Sequence, residues 1–161
     1  MNFQGPVLLE AGHRVEEFDC GRDTLNAWLR SRALRNQRGG GSRTWVVLDG
    51  QQVVAFYSSS TAVLLRSHAT TRSARNQPDP LPALLLGRLA VDARCQGQGL
   101  AAALVKHFIL KSLEVADLTG VRRLLVHAKD TTARGFYLRY GFEPSPVDDL
   151  TLMLLVADIR P

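Results

Sequence analysis

Arg94-Cys95-Gln96-Gly97-Gln98-Gly99-Leu100-Ala101 joins an apolar run, Leu84-Leu85-Leu86 with Leu89-Ala90-Val91, to the strong helix formers Ala101-Ala102-Ala103-Leu104-Val105. A predicted strand that meets two glycines spaced one apart and then opens a helix is a junction built to hold phosphate. Glycine permits a tight turn and lets a ligand approach the main chain, while the N–H groups of the first helical turn, aided by the helix dipole, point at an anion. The ligand that suits this junction carries a pyrophosphate. A dinucleotide fingerprint needs a third glycine and a nucleoside-triphosphate loop needs Gly-Lys-Ser/Thr; neither is present.

Downstream of the junction the pattern predicts a long helix from about Gly99 to Asp117 that buries Ala101, Val105, Phe108, Ile109, Leu113 and Ala116, with Gly120 ending the unit. Leu124-Leu125-Val126-His127-Ala128 reads as a buried strand. Residues 131 to 140 read as a short helix carrying the aromatic pair Phe136-Tyr137 and stopped by Gly141, and Leu150 to Val156 as a last apolar strand. Upstream, Asp23 or Thr24 is expected to cap a helix running through about Asn36, with Leu25, Trp28, Leu29 and Ala33 on its apolar face. Arg38-Gly39-Gly40-Gly41-Ser42 is too short for a domain linker. Trp45-Val46-Val47-Leu48, Asp49-Gly50 and Val53-Val54-Ala55-Phe56-Tyr57 read as a β-hairpin, and Thr61 to Leu65 as its continuation or a paired strand. Arg66 to Pro82, with three prolines, is expected to be a loop or irregular arm on which Arg72 and Arg75 are free to reach a partner.

At 161 residues and 45% hydrophobic content the chain fits one globular domain, 1–161, with no internal repeat. Its longest apolar stretches are strand-length and its first 20 residues carry Glu10, Glu16, Glu17 and Asp19, so neither a signal peptide nor a membrane span is read and a cytoplasmic protein is expected. Cys20 and Cys95 lie far apart, and no Cys-x-x-Cys or His-Cys cluster supports a metal. Positive potential at the loop would lower the Cys95 pKa, though a bystander thiol is the expectation. His127 reads as a core histidine.

The net charge of +5 is unevenly placed: residues 24 to 78 hold eight arginines against one acid, Asp49, whereas residues 79 to 161 hold ten basic against nine acidic groups. Of 20 basic residues 17 are arginine, whose planar fork suits phosphate. A GC-rich genome explains an arginine bias, but not the missing acids.

Arg-x-x-Gly-x-Gly after an apolar strand, followed by Phe136-Tyr137-Leu138-Arg139-Tyr140-Gly141-Phe142, resembles the GNAT superfamily of acetyl-coenzyme A-dependent N-acetyltransferases. The resemblance implies an α/β fold whose central sheet is mixed, mostly antiparallel, splayed between its middle strands and flanked by helices. It implies that Gln96, Gly97, Gln98, Gly99, Leu100 and Ala101 offer main-chain donors to the coenzyme A pyrophosphate, with Arg94 flanking them. Leu89, Ala90 and Val91 fall where the splayed strand pairs with the pantetheine and orients the acetyl carbonyl. Ala133 and Phe136 are placed along the same cofactor. Asp130 stands where many members have an asparagine bonding the pantetheine arm, a weaker match because a carboxylate accepts but does not donate. Tyr137 matches the tyrosine that protonates the departing thiolate, and no metal is implied.

Phe18-Asp19-Cys20-Gly21 with Leu25, Trp28-Leu29 and Ala33, and Pro80-Leu81-Pro82-Ala83-Leu84-Leu85-Leu86-Gly87-Arg88-Leu89-Ala90-Val91-Asp92, resemble the GNAT toxins of bacterial toxin-antitoxin pairs. That resemblance implies acetylation of the α-amine of aminoacyl-tRNA, a block of translation, a homodimer, and neutralisation by a ribbon-helix-helix antitoxin that contacts operator DNA. Two features of the residues agree. Arg30, Arg35, Arg38, Arg72 and Arg75 offer an anionic backbone an acid-poor surface, and Leu84 to Val91 carries no carboxylate to act as base. A lysine amine near 10.4 needs a base, whereas an α-amine near 7.7 to 8.0 does not. The other functions open at this point are acetylation of a small amine or a protein N-terminus, and non-catalytic coenzyme A binding by an interaction protein or corepressor.

Overall fold

The chain order of elements, in a computed structural model that describes residues 2–159, is β1 (Phe3–Leu8), α1 (Asp23–Ser31), α2 (Ala33–Arg38), β2 (Arg43–Asp49), β3 (Gln52–Leu64), α3 (Thr71–Ala74), β4 (Leu81–Val91), α4 (Leu100–Thr119), β5 (Arg123–His127), α5 (Thr131–Leu138), β6 (Glu143–Pro144), β7 (Thr151–Leu155) and α6 (Val156–Ile159). Met1, Arg160 and Pro161 lie outside the described residues. The strands follow the hydrogen-bonded order β1-β2-β3-β4-β5-β7-β6. The β1/β2, β2/β3, β5/β7 and β6/β7 pairs are antiparallel and β4/β5 is parallel, which is the mixed, mostly antiparallel sheet flanked by helices that the resemblance implies.

Two units divide the chain, 1–60 with 87–108 and 61–86 with 109–161. In the first, the β2–β3 hairpin turns between Asp49 and Gln52, as the Asp49-Gly50 signal predicts, with Gly50 at φ +63. Its inner face packs Val46, Leu48, Val53 and Phe56 against Phe18, Trp28, Leu29 and Ala33. Trp28 stacks on Phe56 at 5.9 Å between ring centroids and Phe18 meets Phe56 edge-on at 5.4 Å. In the second, Leu64, Ala69, Ala74, Leu81, Ala83, Leu125 and Met153 form the core.

Several expectations are corrected. The helix predicted through Asn36 breaks at Arg32 (φ −125), after which Ala33 is fully buried; neither Asp23 nor Thr24 caps it, since the cap position is Arg22 with no side-chain bond. β1 is not legible in the sequence because Gly5-Pro6 interrupts it, yet an edge strand tolerates proline, and its register shifts there. β4 begins at Leu81 rather than Leu84, and the last apolar run stops as strand at Leu155 and turns into α6.

The expected irregular arm is a pinned structure. Thr70 caps α3 by accepting from the Ser73 N–H at 3.2 Å. The fully buried Arg123 guanidinium donates to Ser73 Oγ (2.9 Å), the Ser73 carbonyl (3.1 Å), Gln77 Oε1 (3.2 Å) and the Pro82 carbonyl. Arg66 donates to the carbonyls of Ala74 and Gln77. A buried guanidinium is tolerated only when its fan of donors is satisfied, which here takes four acceptors from one arm.

Candidate functional site

β4 supplies the first half of the candidate site. Its parallel ladder with β5 runs only through Leu84, Leu85 and Leu86, so Gly87 to Val91 lie outside that register. Leu89, Ala90 and Val91 therefore have main-chain groups that β5 does not engage, the property expected of a splayed strand. No carboxylate stands anywhere in β4.

The strand ends on Asp92, which is 1% exposed and organises the turn into the glycine loop. Its carboxylate accepts from the Arg94 backbone N–H (2.9 Å), Arg94 Nε (3.0 Å), Arg94 Nη2 (3.0 Å) and the Asp19 N–H (3.1 Å). Burial by itself would raise the Asp92 carboxyl, but the Arg94 guanidinium and the two backbone N–H groups more than offset it and hold it below the ordinary aspartate value. Asp19 in turn accepts from the Gly21 N–H (2.9 Å) and Asn26 Nδ2 (3.0 Å), and the buried Asn26 accepts from the Cys20 N–H. The Phe18-Asp19-Cys20-Gly21 opening thus ties the start of α1 to the loop. Residue spacing does not reveal this, although an aspartate two residues before an arginine at a strand end is a readable signal. Arg94, expected to flank the phosphate donors, is held bidentately by Asp92 while its side chain stays exposed. The Cys95 thiol is pushed up, by burial first and by Asp92 second, rather than lowered.

Past Cys95 the loop is exposed at Gln96, Gly97, Gln98 and Gly99, with Leu100 buried and Ala101 half-buried as α4 begins. Gly97 (φ +77) and Gly99 (φ +79) both adopt the left-handed region, and a Cβ at either would meet nothing within 4 Å. The first-turn N–H groups of a 20-residue helix have no intrahelical acceptor and face the loop end. A Gly97→Ala, Gly99→Ala double variant is expected to lose about 1–2 kcal/mol per site from backbone strain and to bind acetyl-CoA at least tenfold more weakly by titration calorimetry. Gly120→Ala, at φ +76 with equally open space, is the control: similar strain, unchanged affinity.

In the other unit, Asp130 caps α5, its carboxylate accepting from the Ala133 N–H at 2.8 Å, so that oxygen is engaged in holding the helix start. Ala133 and Phe136 are half-buried on α5. Tyr137 is 7% exposed, edge-on to Phe136 (5.3 Å) and Phe142 (5.8 Å). Burial pushes its phenol up to about 12, so it is protonated throughout the physiological range. Among the described residues no group hydrogen-bonds its hydroxyl.

The arginines sort themselves. Arg72 is closed by a bidentate pair with Asp158 (2.9 and 2.8 Å), with Glu143 at 4.0 Å, which corrects the expectation that it is free. Arg43 donates to the Gln37 carbonyl, and Arg30 keeps a long bond to the Asn26 carbonyl (3.3 Å) while remaining exposed. Arg35 and Arg38 on α2, and Arg75, are exposed and make no ion pair among the described residues. His127 is exposed rather than a core residue, bonding Thr151 Oγ1 at 3.1 Å. No group of three or more His, Cys, Asp or Glu among the described residues could hold a metal ion, and no described helix is long and apolar enough to cross a membrane.

A family model for the acetyltransferase (GNAT) domain matches residues 40–144. The chain belongs to the GNAT acetyltransferase family. This GNAT chain is also 41% identical, over 98% of its length and 95% of the relative's, to a protein of Mycobacterium tuberculosis strain H37Rv named a tRNA-acetylating toxin. Among solved structures it matches AtaT complexed with acetyl-methionyl-tRNAfMet at a TM-score of 0.88, with 26% identity over 98% of this chain and 96% of that one. It also matches a tyrosine-to-phenylalanine mutant of AtaT bound to the C-terminus of the antitoxin AtaR and acetyl-CoA, at 0.80 and 25% over 98% and 94%. The family match leaves out α1 and α2, which both AtaT comparisons and the mycobacterial relative include by their coverage of the chain.

Proposed function

We propose that this GNAT protein transfers the acetyl group of acetyl-CoA to the α-amine of aminoacyl-tRNA and so blocks translation. The observation that carries the reading is 41% identity to a tRNA-acetylating toxin over 98% of the chain, an alignment that extends through the arginine-bearing helices that the general family model omits. The chemistry of β4 agrees. With no carboxylate on the strand, and Asp92 held as a buried acceptor of four hydrogen bonds, the acceptor amine must reach the site already neutral. An esterified α-amine does so near neutral pH; a lysine side chain does not.

In this reading the loop amides of Gln96 to Ala101 hold the pyrophosphate and the main chain of Leu89 to Val91 orients the thioester. The amine nitrogen bonds to the acetyl carbon, the carbon–sulfur bond breaks, and the Tyr137 hydroxyl gives its proton to the sulfur. The proton released by the nitrogen returns through solvent to the phenolate. We read the two units as parts of one catalytic domain, because β3, β4 and α4 each run from one into the other. The protein is further proposed to be a homodimer neutralised by a ribbon-helix-helix antitoxin, which brings it to operator DNA.

The test is labelled acetyl-CoA with total charged tRNA. Label on aminoacyl-tRNA is the expected result. Label confined to a small amine or a peptide N-terminus would overturn the substrate, and label nowhere would overturn catalysis in favour of an inert coenzyme A binder. With Arg72 closed by Asp158, the arginines proposed to carry the RNA backbone are Arg30, Arg35, Arg38 and Arg75. Neutralising Arg35, Arg38 and Arg75 to glutamine is expected to weaken tRNA use and to reduce the slope of log affinity against log salt by about 1 for each phosphate left without its arginine. An unaltered slope would mark them as ordinary surface charge.

A further inference from the structure

Arg88 lies on β4 immediately before Leu89, beyond the last residue that pairs with β5. Its guanidinium carbon sits 4.2 Å above the Trp28 ring centroid, within cation–π range. Trp28 is 7% exposed and stacked on Phe56 at 15° between planes, so the platform under the guanidinium is rigid. Strand alternation puts Arg88 and Ala90 on one face, and Ala90 shares the core cluster of Trp28; Leu89 and Val91 take the other face. Arg88 thus faces the side of the sheet covered by α1, the helix that also bears Arg30.

Arg35, Arg38 and Arg75 also make no ion pair among the described residues; what sets Arg88 apart is that its unused donors sit on a guanidinium seated over a buried ring. Among the described residues no carboxylate or carbonyl accepts from it, whereas Arg43, Arg66, Arg72, Arg94 and Arg123 all have acceptors. Partial burial strips water from the group, and for that reason its pKa lies below the ordinary arginine value, although a guanidinium remains charged. A partly desolvated cation seated over an aromatic ring, without a counter-ion among the described residues, on a strand proposed to carry a thioester is prepared for an anion that arrives with the acceptor. The diphosphate of the donor is already provided for by the loop amides.

Resting on the aminoacyl-tRNA reading, we infer that Arg88 is a positioning residue that grips the phosphodiester nearest the aminoacylated 3′ end and so sets the α-amine against the thioester. Its indole backing restrains where the fork sits, and a phosphate accepts such a fork bidentately.

The test compares two acceptors with the full chain: an adenosine carrying a 3′-amide-linked amino acid, and the same molecule extended by a 5′-linked cytidine, which adds one phosphodiester. Wild-type protein is expected to favour the extended acceptor in kcat/KM by about tenfold to a hundredfold, the scale of charge-assisted hydrogen bonds. Arg88→Gln and Arg88→Ala should bring the two acceptors level, and Arg88→Lys should keep part of the preference, with acetyl-CoA affinity unchanged in all three. Arg88→Met, which still covers Trp28, separates packing from charge and should behave as Arg88→Gln. A preference that survives Arg88→Gln overturns the inference, as does an equal loss on both acceptors, the mark of a structural role. A wild-type protein that acetylates neither analogue nor aminoacyl-tRNA overturns the underlying reading, and this one with it.

Discussion

A Tyr137→Phe variant is expected to lose about 10²- to 10⁴-fold in kcat, the usual worth of a positioned proton donor, with acetyl-CoA affinity and melting temperature close to wild type. The phenol is buried between Phe136 and Phe142 and its hydroxyl has no acceptor among the described residues, so deleting one oxygen breaks no internal hydrogen bond. The effect therefore falls on turnover rather than on folding. The sign of the pKa shift makes a second expectation. Burial favours the neutral phenol up to about 12, so the proton is in place across the working range. With no carboxylate base on β4, kcat/KM should rise through the amine's own ionisation near pH 7 to 8 and then stay level to at least about pH 10. A falling alkaline limb below pH 10 would show a different acid at work. Unchanged kcat in the phenylalanine variant would remove Tyr137 from the chemistry.

An Asp92→Ala variant is expected to be destabilised by about 2–4 kcal/mol, since it strands the Asp19 and Arg94 backbone N–H groups and releases Arg94 from a pair at a 1% exposed site. For a chain of this length that is roughly 5–15 °C in melting temperature. Acetyl-CoA affinity should fall as well, because Asp92 sets the turn that aims the glycine loop. Because the folded carboxyl is depressed below the unfolded value near 3.8, its contribution is complete above that value and is lost as pH falls through the folded one. The melting temperature of wild type should therefore drop more steeply below pH 4 than that of Asp92→Asn. Parallel acid limbs for the two proteins would mean that Asp92 is not the acid-sensitive support of this turn.

The legible parts of the chain are those in which one local signal suffices. The Asp49-Gly50 turn between alternating apolar runs predicts the hairpin, and the double glycine before Ala101-Ala102-Ala103 predicts a strand, an exposed loop and a long helix. Tyr137 is singled out by its place before Gly141-Phe142 and its flanking rings Phe136 and Phe142 are local, but its burial and its unengaged hydroxyl are not readable, because motif spacing does not show what the folded chain brings to the phenol. The order in the arm from Arg66 to Pro82 is hidden for the same reason. Three prolines describe a chain that makes few bonds to itself, and the donors of Arg123 make it a fixed structure.

Charge shows the division most sharply. Composition alone establishes an acid-poor stretch rich in arginine and a strand without a base, because the absence of a residue type needs no structure to be seen. Which arginines are open is decided by the fold: Asp158 is 86 residues from Arg72 and closes it, Asp92 pairs with Arg94 at the strand end, and Trp28 seats the Arg88 guanidinium with its donors unused. Local propensity and spacing act over a few residues, whereas an ion pair or a stacked cation is made between residues that only the folded backbone brings within reach.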